Sequence, residues 1–225
     1  MALKSVYKQN LFFFIGYFLL AIIAGFVLIF HSKADGFILM NPWHSNVLDQ
    51  FFILFTLFGD GFFVIALGII LFFLNRRLLS LMIISSYLLS GIIAQILKYF
   101  IVEARPAFYL ENTNYPHFID GVTLHNFHSF PSGHTASAFA LAAVLSFGIR
   151  NKNYSILFLL WAALVGYSRI YLGQHFMDDV FAGSLIGVLS SVFCWLFFQN
   201  GFRKILMKKF PQDYIDRDFL LNRNQ

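Results

Sequence analysis

The chain is poor in charge. Of its 225 residues only 12% are Asp, Glu, Lys or Arg, while 59% are hydrophobic and the mean hydropathy is +0.70; a soluble domain carries about 25% charged residues. Charges are missing from long stretches rather than thinly spread, which excludes water as the only solvent. Cysteine is nearly absent as well. Cys194 alone cannot form an intramolecular disulfide, so the outer loops are not stapled. The sequence has no Cys/His cluster with zinc spacing and no carboxylate-rich calcium loop. It also lacks internal repeats, low-complexity linkers and any second domain. Residues 1–225 read as one domain, with a long outer loop from Val102 to Phe130 and a polar tail after Asn200.

What is present is a set of six apolar runs: Leu11 to Phe30, Phe51 to Leu74, Leu78 to about Ile101, Ser132 to Ile149, Ser155 to Leu172 and Met177 to Gln199. About 20 apolar residues let a helix cross a hydrocarbon layer of ~30 Å. Lipid offers backbone N–H and C=O groups no partners, and the runs lack the alternation of barrel strands, so an all-α membrane protein with six transmembrane helices is expected. Lys4 and Lys8 precede the first run like the charged region of a signal peptide. That run of 20 residues is long for one and no clear cleavage site follows, so it reads as a retained helix.

Positive charge sets the orientation. With the N-terminus inside, inner segments hold Lys4, Lys8, Arg76, Arg77, Arg150, Lys152 and the cations of a cytoplasmic basic tail, 200–225, together 12 of the 16 Lys and Arg. Only Lys33, Lys98, Arg105 and Arg169 lie outside. The seven histidines show the reverse bias, all falling on or beside outer segments. The net charge of +5 therefore points to topology, and to anionic head groups before nucleic acid.

Chemistry is concentrated in three places, all at the outer surface in this topology. Lys98 and Arg105, seven residues apart, share a helix face if the third helix runs that far, and Pro106 ends the helix at Arg105. Pro131-Ser132-Gly133-His134 opens the fourth helix, where unpaired N–H groups and a partial positive charge make an anion site. His175 and Asp179 lie in Ser168-Arg169-Ile170-Tyr171-Leu172-Gly173-Gln174-His175-Phe176-Met177-Asp178-Asp179. At i, i+4 spacing on one helical turn, the carboxylate accepts the imidazole Nδ1–H and leaves Nε2 nucleophilic; Asp178 is the rival partner. Each alone has an ordinary explanation: snorkelling cations, a capped helix start, an interfacial polar cap.

Together they match, in order, spacing and identity, KxxxxxxRP, PSGH and SRxxxxxHxxxD, and the chain so resembles the type 2 phosphatidic acid phosphatase (PAP2) and vanadium haloperoxidase superfamily. The resemblance covers helices three to six, from 98 to 179. It implies a PAP2-like helical bundle and a metal-independent lipid phosphatase without cofactor. His175 would be the nucleophile, Asp179 its orienting partner and His134 the general acid. Lys98, Arg105, Ser132, Gly133 and Arg169 would bind the phosphoryl group. Phosphoryl transfer asks a protein mainly for positioning and charge, which three cations and a helix terminus can supply.

Substrates implied are phosphatidic acid, phosphatidylglycerol phosphate, polyprenyl diphosphate or lipid A phosphate, at the outer face of a bacterial inner membrane. Two alternatives stay open, a phosphotransferase using the same phosphohistidine and a non-enzymatic lipid transporter or scaffold; six spans disfavour a soluble haloperoxidase. Outside the motifs, Asp60 between Gly59 and Gly61 reads as a site-supporting charge within the second span. Gly183 and Gly187 read as internal helix packing, His117, His125 and His128 as solvated loop residues with head-group or metal binding as the alternative, and the 31 phenylalanines as lipid-facing and packing groups.

Overall fold

The computed structural model describes residues 3–111, 115, 117–149 and 151–199; Arg150 and the expected cytoplasmic tail from Asn200 onward lie outside the described residues. Among the described residues all regular structure is helical. The helices are α1 (Leu3–Gln9), α2 (Leu11–Phe30), α3 (Lys33–Met40), α4 (Asn46–Phe55), α5 (Gly61–Phe73), α6 (Arg77–Phe100), α7 (Pro106–Tyr109), α8 (Gly133–Gly148), α9 (Ser155–Tyr171) and α10 (Met177–Phe197), with 3-10 turns at Thr56–Gly59 and Lys152–Tyr154.

Among the described residues four stretches are long and apolar enough to cross a membrane: Leu11–Phe30, Arg77–Phe100, Lys152–Tyr171 and Met177–Phe197. The second apolar run is not one straight helix. It is a pair, α4 with its 3-10 turn and then α5, bent by 54° and counting as a fifth span if the pair is taken together. The bend falls at the Gly59-Asp60-Gly61 sequence: Asp60 has extended backbone and its side chain accepts the Phe62 N–H at 2.8 Å, restarting the helix as an N-cap.

The remaining apolar helix, α8, has 16 residues and rises about 24 Å, shorter than the ~30 Å layer. It is the hub of the bundle, packed against α6, α9 and α10, and 12 of its 16 residues are buried. Ten of its 16 residues are Gly, Ala, Ser or Thr, which lets neighbouring backbones come close. Gly183 and Gly187 of α10 make that approach. A Cβ on Gly183 would lie 2.5 Å from the Ser132 carbonyl oxygen and one on Gly187 2.4 Å from that of Ala136. Ser191 continues the stripe by donating to the Ala140 carbonyl at 2.9 Å. The glycine pair is thus an internal seam.

By contrast, α2 lies at the periphery, with Phe12, Phe18, Phe26 and Phe30 exposed and Phe13 buried against α8. The two ends of the bundle differ in chemistry. At one end Lys152 Nζ donates to Asn10 Oδ1 and to the Ser146 and Phe147 carbonyls at the C-terminus of α8, where a cation complements the helix dipole. The opposite end gathers the N-termini of α8 and α10, the C-termini of α6 and α9, and the outer loop.

Candidate active site

The polar end is built from helix termini. Ser132 caps α8 by accepting the Thr135 N–H, and Thr135 Oγ1 donates to the same oxygen at 2.8 Å. Its own N–H donates to the Asp179 carbonyl at 3.0 Å, tying the start of α8 to the first turn of α10. Ser132 is fully buried, so of this pair it is Gly133 that opens outward: a Cβ there would meet nothing within 4 Å. The first amides of a helix have no intrahelical acceptor, which leaves those of Gly133 and His134 for a ligand.

His175 does not share a helical turn with Asp179. It lies in the bend before α10, and Asp179 sits at the third position of that helix, reaching back. Asp179 Oδ2 accepts from the Phe176 N–H at 2.8 Å and from the Ser129 hydroxyl, and lies 3.3 Å from His175 Nδ1. The expected contact forms by helix capping rather than by side-chain stacking along a turn. Asp178 is turned away, 2.9 Å from Lys33 Nζ, which also pairs with Glu103. Burial works against the Lys33 charge, but these carboxylates outweigh it and raise its pKa. His175 and Asp179 are 3% and 0% exposed, so their contact is dry.

The expected helix face shared by Lys98 and Arg105 is absent. Helix α6 stops at Phe100, residues 101–105 run without helix, and Pro106 opens the next short helix rather than closing the last. The chain leaves the helix because Glu103 and Arg105 pair with the returning loop: Arg105 N–H donates to Asn126 O and Ser129 N–H to Glu103 O. Both cations still face one place. Lys98 Nζ donates to the His128 and Ser129 carbonyls at 2.6 and 3.1 Å, and the Arg105 guanidinium to those of Phe127, His128 and Gln174. Arg169, at the C-terminal turn of α9, is 5% exposed; it donates to Thr56 Oγ1 at 2.6 Å and to Gln174 Oε1. Its buried Nε has no hydrogen-bond partner among the described residues. Burial, and then the positive charges of Arg169, Arg105 and Lys98, hold the His175 imidazole well below its ordinary pKa, so the ring is neutral.

His134 projects from the first turn of α8 with Nε2 3.9 Å from Asp60 Oδ2. The break between α4 and α5 causes this proximity. A Cβ on Gly59 would lie 3.0 Å from the His134 carbonyl oxygen and 2.6 Å from Val165, and one on Gly61 2.0 Å from the Tyr87 hydroxyl. Gly59 thus lets the bent backbone press onto the start of α8, and Gly61 lets it close on Tyr87 of α6.

The polar end therefore combines a neutral, carboxylate-held histidine, three cations, a helix N-terminus and a second histidine, drawn from α6, α8, the α9–α10 bend and the loops. The family model of the PAP2 superfamily matches residues 79–203. The chain belongs to this family. A lipid A 4'-phosphatase of Porphyromonas gingivalis is 33% identical over 172 residues, 71% of this chain and 70% of that protein. The undecaprenyl-diphosphatase BcrC of Bacillus subtilis is 29% identical over 161 residues, 69% and 76% of the two chains. The crystal structure of Aquifex aeolicus LpxE superimposes with a TM-score of 0.65 at 36% identity, over 74% of this chain and 96% of that one. The protein is a PAP2-type phosphatase and an integral membrane protein.

Three residues of this PAP2 site escape the motif reading. Ser129 shares Asp179 with His175, Gln174 bridges Arg105 and Arg169, and Thr56 receives Arg169. Gln174 lies at an unspecified motif position and Thr56 in an apolar run, so neither carries a signal of its own. Asp60 does carry one, a carboxylate between two glycines in an apolar run.

Proposed function

We propose that the protein removes phosphate from a membrane lipid through a phosphohistidine on His175. The observation that carries this reading is the buried, neutral His175 with Nδ1 held by Asp179, within the positive field of Arg169, Arg105 and Lys98, which leaves Nε2 as the ring nitrogen to react. In the first step Nε2 attacks phosphorus, the bond from phosphorus to the lipid oxygen breaks, and His134 gives that oxygen a proton. Water then attacks the phosphohistidine, His134 takes its proton, and the P–N bond breaks to release phosphate. The three cations and the Gly133 amide spread the charge of the transferring group, with Ser132 holding the helix start in place. Asp60 steadies the second histidine.

The chain crosses the membrane six times in this reading, with the site on the periplasmic side of a bacterial inner membrane. Helix α8 can span despite its length because protein, rather than lipid, surrounds it. A lipid A phosphate monoester is the leading substrate, since the Porphyromonas relative is named for one; a polyprenyl diphosphate is the second, in keeping with the Bacillus relative. Phosphate release from a panel of lipid A, undecaprenyl diphosphate and phosphatidic acid, without an added acceptor, tests hydrolysis against transfer. Rapid quenching should trap an acid-labile phosphoenzyme in the wild type and none in His175→Ala. A phosphoenzyme that persists in that variant would move the nucleophile elsewhere.

A further inference from the structure

A second cluster of titratable side chains lies away from His175. His44 stands in the loop before α4, Asp49 in the first turn of α4, and His117 in the outer loop; one donor atom of each lies within 4.8 Å of the others. His117 Nε2 is 3.3 Å from Asp49 Oδ2, and the His44 and His117 rings are 4.1 Å apart between centroids. An Asp49–His117 ion pair accounts for the first contact. It does not account for a second imidazole laid against the first.

The surroundings have the pattern of groups that orient metal ligands. Asp49 is 7% exposed, and its other oxygen accepts the Tyr171 hydroxyl at 2.6 Å. His44 Nε2 is 3.2 Å from the Tyr115 hydroxyl. Its Nδ1 is buried without a hydrogen bond of standard geometry, the Asn41 backbone giving the ring a weak contact. Ligating carboxylates and imidazoles are ordinarily fixed in this way through the atom that does not touch the metal. Donors about 2.1 Å from a tetrahedral zinc lie about 3.4 Å from one another. The Asp49–His117 separation already has that value, and side-chain rotation brings in His44.

We propose that His44, Asp49 and His117 form a structural site for a divalent cation of the zinc class, with a fourth position left to water. Two imidazoles and one carboxylate suit zinc and its neighbours rather than calcium or magnesium. Such a site joins three segments that no disulfide joins: the α3–α4 loop, the start of α4 and the outer loop. Tyr171, two residues after Arg169, packs on both His44 and Phe52. The ion would therefore brace the outer loop beside the cationic end of the bundle without touching the reacting atoms. This assignment is independent of the reaction proposed for His175.

The test uses tag-free, full-length protein in detergent, stripped with chelator and then given zinc chloride or cobalt chloride. Wild type should bind one zinc per chain and melt at a higher temperature with zinc than without, since a ligand of the folded state stabilises it by mass action. Cobalt should produce the visible d–d bands of a four-coordinate nitrogen–oxygen site. His44→Ala and His117→Gln should weaken zinc binding by at least about tenfold, abolish the thermal shift, and melt without metal close to the stripped wild type. His125→Ala should behave like wild type. Absence of the cobalt bands in wild type overturns the site, as does zinc binding that survives both His44→Ala and His117→Gln.

Discussion

At the scale of the residue, the site depends on how Asp179 divides its carboxylate. Its Oδ2 faces the Phe176 amide, the Ser129 hydroxyl and His175 Nδ1, and three donors on one oxygen fix it firmly. Asp179→Asn keeps the shape but places an amide where the imidazole needs an acceptor, so turnover should fall by about 10²–10⁴-fold without a matching rise in KM. Asp178→Asn, which only loosens Lys33, should stay within about tenfold of wild type by the same assay. The pH profile follows from His175. Its folded pKa is depressed, so if His175 is the nucleophile as proposed, its reactive form is lost only when pH falls well below the ordinary histidine value of ~6.5, and the acid limb of kcat/KM should lie there. In the proposed scheme the basic limb reports loss of the proton that His134 donates, and both limbs are coupled apparent values rather than either residue's own. The sign for stability is the same: the unfolded chain binds this proton first, so stability present above pH ~6.5 is lost as pH falls. A rate flat from about pH 4 to 9, with chemistry limiting, would end the two-histidine scheme.

At the scale of the element, the α8–α10 seam and the α4–α5 break do most to position these residues. Gly187→Ala drives a methyl group to 2.4 Å from the Ala136 carbonyl oxygen, a backbone atom that cannot swing away. It should cost about 1–3 kcal/mol, read as an earlier thermal unfolding transition in detergent. Gly91→Ala on α6, where a Cβ meets nothing within 4 Å, should be neutral or stabilising by up to about 1 kcal/mol. The helical periods and the seam glycines are legible in the sequence because they follow from apolar runs and small-residue spacing. The end of α6 is not. Pro106 suggests termination at Arg105, yet the helix stops at Phe100, because the backbone of 103–105 finds partners in residues 126–129, far along the chain.

At the scale of the whole molecule, the candidate site and Lys152 lie at opposite ends of the bundle. A cysteine at Thr123 should react with an impermeant thiol reagent in intact cells, whereas one at Lys152, which sits at the opposite end, should not; the reverse labelling would put the site in the cytoplasm. The cationic cradle makes a further prediction. In the proposed mechanism Lys98, Arg105 and Arg169 supply the positive charge, so phosphate release at low temperature should persist after chelation, even where chelation lowers the melting temperature through the histidine cluster. Vanadate, five-coordinate like the transferring phosphorus, should inhibit by occupying that cradle. Reversible loss of turnover on chelation, restored by metal in His117→Gln as well as in wild type, would place a metal in the reaction itself.

The amino-acid sequence by itself determined the solvent, the helical class, the three motifs and their common end of the molecule, since these depend on local composition, periodicity and charge count. Spacing and motif point to Asp179 as the partner of His175, with Asp178 its rival; how the contact is made is beyond the sequence, because only the way α10 starts turns one carboxylate to the imidazole and the other to Lys33. Nor do His44, Asp49 and His117 carry any spacing signal, because their meeting depends on the fold of the outer loop over α4. Local interactions have a period that can be read along a chain. Contacts between segments about 70 or more residues apart are set by packing, and only the tertiary structure decides them.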